Sequence, residues 1–253
     1  MGDFKMRIIA VCNQKGGTGK TTSTVNIGAG LAMLGHKVLL VDLDPQFNLS
    51  FSMGLSESEI NTSVYEVLSG QSEINQALIT VNGLKLLPAR SNLTQVDANL
   101  NNNPNKQFLL KRALPNLAFD FILLDCPPSY GLITVNALAA AQEVFVPVQA
   151  EFLALHGMSK LLDTISSIHS QYNKELKLGG IIITRYDQRK VLNREVLASL
   201  EEHFSGRLFQ TIIRENIALA EAPSFGQDIF RYRPDSNGAR DYMNLCREIM
   251  ERR

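Results

Sequence analysis

The chain has 253 residues, 45% of them hydrophobic and 20% charged, which is typical of a soluble globular protein with a full core. Its 25 basic and 25 acidic side chains cancel, which excludes a global field for nucleic acid or acidic membranes and leaves only local patches. The 3 cysteines lie far apart and form neither a disulfide framework nor a metal-binding spacing. No apolar run approaches the roughly 20 residues of a membrane span, and no signal peptide is seen, so we expect a cytoplasmic protein.

Apolar runs that alternate with helical patterns indicate an α/β fold. The runs predict strands at residues 7–12, 37–42, 84–88, 119–125, 143–148, 178–184 and 207–211. Near-continuous Val, Ile and Leu in such runs is typical of a parallel sheet covered by helices on both faces. We therefore expect a single α/β domain over residues 1–253, with a mostly parallel twisted sheet. Its strand ends and the loops after them should share one edge.

A glycine-rich loop follows the first predicted strand and precedes a helical pattern. Residues 15–22 read Lys-Gly-Gly-Thr-Gly-Lys-Thr-Thr. Glycines let backbone N–H groups converge on phosphate oxygens, and a helix N-terminus adds partial positive charge. Lys20 is spaced to reach terminal phosphates, and the Thr21 hydroxyl to ligate Mg²⁺. The loop departs from the ordinary P-loop pattern because Gln14 replaces its first glycine and Lys15 adds a second lysine.

Two predicted strands end in carboxylates at the same edge of the sheet. The second strand runs into Asp42 and Asp44, which lie on one side because successive strand residues alternate faces. Asp44 is placed to orient a water or to hold Mg²⁺ through water, although an Asp before a proline also fits plain turn chemistry. The role of Asp42 stays open. Asp125 ends the most hydrophobic strand, as the metal-holding carboxylate of a Walker B motif does.

Taken together, these motifs closely resemble the ParA/Soj family of deviant Walker A ATPases, within the larger group that includes MinD. The resemblance extends over nearly the whole chain and keeps the family's order. The segments that carry it are residues 15–22, 42–46, 125–131, 147–149, 152–155, 184–189, Asn216 and residues 219–224.

The resemblance implies ATP and Mg²⁺ as cofactors, slow ATP hydrolysis and an ATP-dependent homodimer. In this family the lysine at the position of Lys15 crosses the dimer interface to the partner's nucleotide, as an arginine finger does. It further implies that Asp44 positions the attacking water, that Thr21 ligates Mg²⁺ and that Asn216 lies near the adenine. The candidate metal-site residues are Thr21, Asp44 and Asp125. The catalytic residues are then Lys15, Lys20 and Asp44. The nucleotide-binding residues are Gly16, Gly17, Thr18, Gly19, Lys20, Thr21, Thr22 and Asn216.

The resemblance also implies a task and partners. Relatives segregate plasmids or chromosomes: the ATP-bound dimer binds double-stranded DNA non-specifically, and a ParB/Spo0J-like protein stimulates hydrolysis and releases it. We therefore expect association with the nucleoid. The loop begins too early for a preceding helix-turn-helix domain, so the short form of the family is expected. Phe47 stands where relatives usually have a glycine, and Ala218 where many carry a basic residue linked to DNA binding.

Arginines dominate the basic residues after position 184 and are the candidate DNA contacts. A few of them on one face would bind phosphates without reading sequence. For any single one, a surface ion pair with a neighbouring acid is at least an equal alternative. The candidates are Arg189, Arg194, Arg231, Arg233 and Arg240.

Two related functions remain as alternatives. A ParA-like ATPase that positions another cargo would look almost the same in sequence. A MinD-like cell-division ATPase would end in an amphipathic membrane helix with a basic face. Residues 238–253 lack a polybasic face, and their apolar spacing predicts a helix that packs on its own sheet, so membrane binding is not expected.

Overall fold

A computed structural model describes residues 6–115, 117–151 and 154–252 of the chain. Its strands in chain order are β1 (Arg7–Val11), β2 (Val38–Asp42), β3 (Ile79–Val81), β4 (Leu84–Leu87), β5 (Phe121–Asp125), β6 (Glu143–Gln149) and β7 (Lys177–Thr184). They form one sheet in the order β3-β4-β2-β5-β1-β6-β7. Among the described strands, β3 and β4 pair antiparallel and the other neighbours pair parallel.

Helices connect the strands and cover the sheet. The longer ones are α1 (Lys20–Met33), α7 (Leu132–Ala140), α8 (Ala154–Gln171), α9 (Val191–His203) and α12 (Asn237–Glu251). The short α-helices are α2 (Asn48–Ser52), α3 (Val64–Leu68), α4 (Ile74–Ala77), α5 (Val96–Leu100), α6 (Leu109–Ala113), α10 (Ile217–Glu221) and α11 (Ile229–Tyr232). Short 3₁₀ turns lie at Glu57–Glu59, Ser91–Gln95, Lys106–Phe108 and Ala222–Phe225.

The sheet has a hydrophobic core on each face. Alternate residues of β1 divide between them: Ile8 and Ala10 pack with the face that α7 and α8 cover, and Ile9 packs with α1 and α12. Strand residues buried on both sides explain the unbroken apolar runs in the sequence. The predicted single-domain α/β fold, a mostly parallel sheet with helices on both faces, is confirmed.

The sequence-based strand prediction was wrong at one place and incomplete at another. Residues 207–211 form no strand, only an isolated bridge between Leu208 and Ile181. The backbone N–H groups of Gln210 and Thr211 instead donate to the carboxylate of Glu248 on α12, at 2.7 and 2.9 Å. Backbone bonds join Ile181 to Arg207 and Phe209, both at 2.9 Å, but the side-chain bonds of Glu248 take the next two N–H groups, so the ladder does not continue into a strand.

The short edge strand β3 was missed. It forms a hairpin with β4 through the dipeptide at residues 82–83, Asn-Gly, with φ angles of 50° and 80°. Asn-Gly between two apolar runs is a strong hairpin pattern, so the sequence contained the information. With only 3 residues, however, β3 is shorter than the windows in which alternation stands out.

The last helix packs against the body of the molecule. Tyr242 Oη lies 3.1 Å from Ser23 Oγ of α1, and Leu245, Cys246 and Ile249 are buried in the same core. The expected packing of this helix on the sheet is therefore confirmed. Within the described ranges, no helix is both long and apolar enough to cross a bilayer.

Two glycine backbones touch where α2, the β3–β4 turn and residues 222–226 meet. Gly226 has φ 63°, and a Cβ at this residue would lie 2.5 Å from the Cα of Gly54. Asn82 Nδ2 joins the three segments by donating to the carbonyls of Gly226 and Met53, at 2.8 and 3.3 Å. Gly206 has a similar φ of 75°, but a Cβ there would meet no atom within 4 Å.

This difference separates the cost of backbone strain from the cost of crowding. Gly206→Ala should lower the free energy of unfolding by about 1 kcal/mol, from the left-handed backbone alone. Gly226→Ala adds a collision with backbone and should cost roughly 2 kcal/mol more. Urea unfolding of the two variants measures this, and equal losses would show that the Gly54–Gly226 contact is not tight in solution.

Candidate nucleotide-binding site

Side chains from two neighbouring strands hold the glycine-rich loop between β1 and α1. Gln149 Nε2, at the end of β6, donates to the Gly17 carbonyl at 2.6 Å. Thr184 Oγ1, at the end of β7, donates to the Thr18 carbonyl at 2.8 Å. Gly17 and Gly19 have φ angles of 74° and 89°, which glycine adopts without steric cost. The loop is therefore braced by the sheet itself.

No role for Gln149 or Thr184 was predicted from the sequence. Both are polar residues at the carboxyl ends of strands, which is the same pattern that pointed to Asp44 and Asp125. They contact the loop through its carbonyls, and that contact depends on the strand order β1-β6-β7. Strand order is not readable from local sequence, so the pairing was not predictable.

The two lysines of the loop lie in different surroundings. Lys20, the first residue of α1, is only 8% exposed, and its Nζ lies 3.5 Å from the carbonyl of Lys15. The side chain of Lys15 is 44% exposed, and its Nζ contacts Glu151 Oε2 at 2.5 Å. One ammonium group is thus enclosed by the loop, whereas the other lies on its outer surface.

A hydroxyl and a carboxylate meet beside the loop. Thr21 Oγ1 donates to Asp125 Oδ2 at 2.7 Å, and Thr24 Oγ1 to Asp125 Oδ1 at 3.3 Å. Burial, followed by the nearby charge of Asp42, raises the pKa of Asp125 to about 8. The predicted neighbours Thr21 and Asp125 are therefore brought together.

Thr21 and Asp125 can hold Mg²⁺ only if a bound phosphate and water supply the remaining metal ligands. Mg²⁺ in phosphate sites keeps several waters and takes one or two protein oxygens together with phosphate oxygens. The parts of the chain that the structure describes contain no group of three or more His, Cys, Asp or Glu able to hold a metal. Thr21 and Asp125 thus match a metal site whose remaining ligands come from a nucleotide and water.

Asp42 and Asp44 differ in what they contact. Asp42 is fully buried and accepts from the Ser50 N–H (2.9 Å), the Ser50 hydroxyl (2.7 Å) and the Asp44 N–H (3.1 Å). Burial raises its pKa to about 6. The carboxylate of Asp44 accepts from the Gln46 N–H at 2.9 Å. The question left open for Asp42 is answered by these contacts, which tie α2 to the end of β2.

Phe47 keeps the loop shape that a glycine would favour. Its φ of 61° lies in the left-handed region, where a residue with a Cβ carries a cost of about 1–2 kcal/mol. It directly precedes α2, whose Ser50 holds Asp42. The unusual Phe therefore strains the backbone at the residue that precedes α2.

A cavity of about 530 Å³ lies beside the loop. Asn216 lines it, and its Oδ1 accepts from the Ala218 N–H at 2.9 Å, which caps α10. One wall is the glycine loop and the other is largely apolar. Its lining includes Gly17, Gly19, Thr22, Ile213, Ile217 and Leu219. Polar and charged residues also line it, among them Thr184, Arg185, Arg214 and Glu215. A partly apolar slot that carries an amide group, next to a phosphate-type loop, suits a nucleoside.

The structure divides the five candidate arginines between separate places. Arg189 lies in the turn after β7, and Arg194, in the first turn of α9, contacts that turn because its Nη1 donates to the Gln188 carbonyl at 2.7 Å. Arg231 instead donates to Asn82 O at 2.7 Å, in the turn that opens β4. That turn lies at the β3–β4 edge of the sheet, whereas β7 forms the other edge. It also lies at the amino ends of the parallel strands, whereas the turn after β7 lies at their carboxyl ends. Six strand spacings of about 4.8 Å put the two edges roughly 30 Å apart.

The other two arginines are exposed near the C-terminal helix. Arg233 follows α11, and Arg240 on α12 donates to the Asp235 carbonyl at 3.1 Å. The neighbouring Arg214 binds Asp241 through both carboxylate oxygens. The DNA role of every candidate arginine remains a prediction.

Known proteins resemble this chain over nearly its whole length. A family profile described as an AAA domain (AAA_31) matches residues 6–178. The chromosome-partitioning ATPase Soj of Treponema pallidum is 44% identical over 250 residues, covering 97% of this chain and 98% of the relative. The chromosome partitioning protein ParA of Caulobacter vibrioides is 37% identical over 253 residues, with 98% and 95% covered.

A solved structure shares the fold. The cobyrinic acid a,c-diamide synthase from Mycobacterium smegmatis, with bound ADP and magnesium, matches with a TM-score of 0.87 and 38% identity, covering 97% of this chain and 94% of that one. The sheet order and the glycine loop define a P-loop NTPase. The chain belongs to the ParA/Soj family of partitioning ATPases, as the sequence resemblance predicted.

The contacts of Asp42 generate a prediction that distinguishes it from Asp44. Asp42→Asn replaces an acceptor oxygen with an NH₂ group that faces donors from Ser50, so buried donors lose their partner. The free energy of unfolding should fall by about 2–4 kcal/mol. Asp44→Asn keeps an acceptor for the Gln46 N–H and should cost less than about 1 kcal/mol. Denaturant unfolding of both variants tests this; equal losses would contradict the bracing role of Asp42.

Proposed function

We propose that the protein is a nucleotide-controlled partition switch. It binds ATP with Mg²⁺, pairs with a second copy of itself in the ATP state and then binds double-stranded DNA without reading sequence. ATP hydrolysis is slow until a ParB-like partner stimulates it and releases the protein from DNA. In this proposal the protein associates with the nucleoid and moves a chromosome or plasmid.

The contrast between the two loop lysines carries the proposal. Lys20 is enclosed where the phosphates of the chain's own nucleotide would lie, whereas Lys15 points its exposed ammonium to Glu151 on the outer surface. An exposed ion pair is worth at most about 1 kcal/mol, so Lys15 is cheaply released toward another charge. A phosphate presented by a second subunit is such a charge.

The other site residues have complementary roles in this proposal. Residues 16–19 cradle the phosphates with their N–H groups, and Thr21 with Asp125 holds the Mg²⁺ together with phosphate oxygens and water. Asp44 orients the attacking water, and Asn216 contacts the base. The ADP and magnesium bound to the Mycobacterium relative support the choice of cofactors.

Two substitutions separate dimerisation from chemistry. Lys15→Ala should still bind ATP, because Lys20 and the glycine loop are untouched, yet remain a monomer with ATP. Asp44→Ala should dimerise with ATP, whereas its turnover should fall by at least about 100-fold, the usual contribution of a positioned base. Light scattering with ATP and phosphate release with DNA and partner measure the two properties.

Each variant is the control for the other. An intact ATP dimer of Lys15→Ala would contradict the cross-subunit role of this lysine. Unchanged hydrolysis by Asp44→Ala would remove the role assigned to that carboxylate.

The exposed turn after β7 and the start of α9 form the proposed DNA contact, because Arg189 of the turn and Arg194 of the helix lie there together. Replacing both with Ala should weaken ATP-dependent DNA binding and lower the magnitude of the slope of log K against log salt by about 2. Arg247→Ala is the matched control. Arg247 is exposed on α12, whose end lies at the start of β1, where Arg7 Nη1 donates to Ile249 O at 2.8 Å.

Fluorescence anisotropy of a labelled duplex at several salt concentrations measures the slope. The control should keep the wild-type slope. A double variant whose slope equals that of the wild type would show that DNA phosphates are contacted elsewhere.

A further inference from the structure

The buried side chain of Asn193 links two loops that are distant in sequence. It lies in the first turn of α9 and is 7% exposed. Its Nδ2 donates to the Ala150 carbonyl at 2.7 Å, and its Oδ1 accepts from the Asp187 N–H at 2.9 Å. Both ends of the amide are therefore engaged, each by a backbone group of a different loop.

The first of these loops contacts the nucleotide site twice. Ala150 is flanked by Gln149, which donates to the Gly17 carbonyl at 2.6 Å, and by Glu151, which binds the ammonium of Lys15 at 2.5 Å. Residues 149–151 therefore contact both the backbone of the glycine loop and the side chain of Lys15, so a change in either would be felt by this segment. If Lys15 leaves Glu151, this segment loses one of its two connections to the loop.

The second loop carries the arginine proposed to meet DNA. The carboxylate of Asp187 binds the guanidinium of Arg189 through both oxygens, at 3.0 and 2.9 Å. These hydrogen bonds hold the pKa of Asp187 low, at about 2. The Asp187 carbonyl accepts from the Lys190 N–H at 3.0 Å, which closes the turn. The orientation of Arg189 therefore follows the backbone of Asp187.

We infer that Asn193 is a positioning residue that couples the nucleotide state of the glycine loop to the turn of residues 187–190. The inference rests on the proposed function in one respect, since it takes Arg189 as a DNA contact and Lys15 as the group that changes partner. A shift of residues 149–151 either moves Asn193 or breaks a buried hydrogen bond, and the second choice is costly. The amide transmits the shift because its other end holds Asp187.

If Asn193 only stabilised the fold, its removal would lower stability but leave the response of one loop to the other unchanged. Removing a buried bridging amide lowers stability wherever it lies, without changing how one loop responds to another. Asn173 offers the matched control: it is 5% exposed, and its amide donates to the carbonyls of Leu138 and Ala141 and accepts from the Glu175 N–H. It lies after α8, at the start of β7 and thus at the opposite end of the sheet from the glycine loop.

The test is hydrogen–deuterium exchange of the full chain with and without a non-hydrolysable ATP analogue and Mg²⁺. In the wild type the analogue should slow amide exchange both in residues 15–22 and in residues 186–190. In Asn193→Ala the response of residues 15–22 should persist, whereas that of residues 186–190 should shrink by at least about fivefold. Asn173→Ala should keep both responses.

Asn193→Asp refines the test and covers a poorly folding Asn193→Ala. A carboxylate still accepts from the Asp187 N–H but cannot donate to the Ala150 carbonyl, so it should also uncouple the two loops. The inference is overturned if either variant retains the wild-type response at residues 186–190, if the wild type shows none there, or if both segments lose their response together.

Duplex binding in the same samples separates this inference from the proposed function. The quantity compared is the DNA affinity with the ATP analogue divided by the DNA affinity with ADP. In the uncoupled variants this ratio should fall by at least about fivefold. If exchange shows the coupling but no sample binds DNA, the partition proposal fails and the role of Asn193 stands.

Discussion

The in-register pairing of β5 with its two neighbours is the constraint on which the site depends. Val11 of β1 and Asp42 of β2 both lie opposite Asp125 of β5. This register brings three features to the carboxyl ends of three adjacent strands. They are the start of the glycine loop, the Thr21–Asp125 contact and the turn that carries Asp44. A slip of one residue would turn Asp125 to the other face and remove its contact with Thr21.

That edge concentrates three carboxyl groups, so cations bound there are electrostatically favoured. Beyond the effect of burial, the charges of Asp42 and Asp44 raise the pKa of Asp125, and Asp44 also raises the pKa of Asp42. A nucleotide polyphosphate brings further negative charge to the same place. Lys20 and Mg²⁺ offset it. In the proposed dimer an incoming Lys15 would add to them, which would link the nucleotide state electrostatically to the position of the outer lysine.

Local pattern was sufficient for six of the seven described strands, the glycine loop and the carboxylates, because each depends on a short run of residues. The local pattern was misleading where contacts with residues distant in sequence determine the structure. Residues 207–211 have strand composition, but Glu248 accepts from the N–H groups of Gln210 and Thr211. The arginines look alike in sequence, and only the fold separates Arg231 from Arg189. Gln149 and Thr184 became visible as loop braces once the strand order was known.

In the proposed switch, the weakness of the Lys15–Glu151 contact would make the release of Lys15 reversible. A pair with both side chains about half exposed contributes at most about 1 kcal/mol, which cannot lock the loop against a nucleotide phosphate. The bond of Asn193 to the Ala150 carbonyl is buried and its bond to the Asp187 N–H is partly buried, and breaking the buried one costs more than releasing Lys15. Motion should therefore begin at the weak, exposed contact and pass through the strong, buried one. Because the weak contact breaks first and the strong one holds, a conformational change that starts at the glycine loop should extend to residues 187–190.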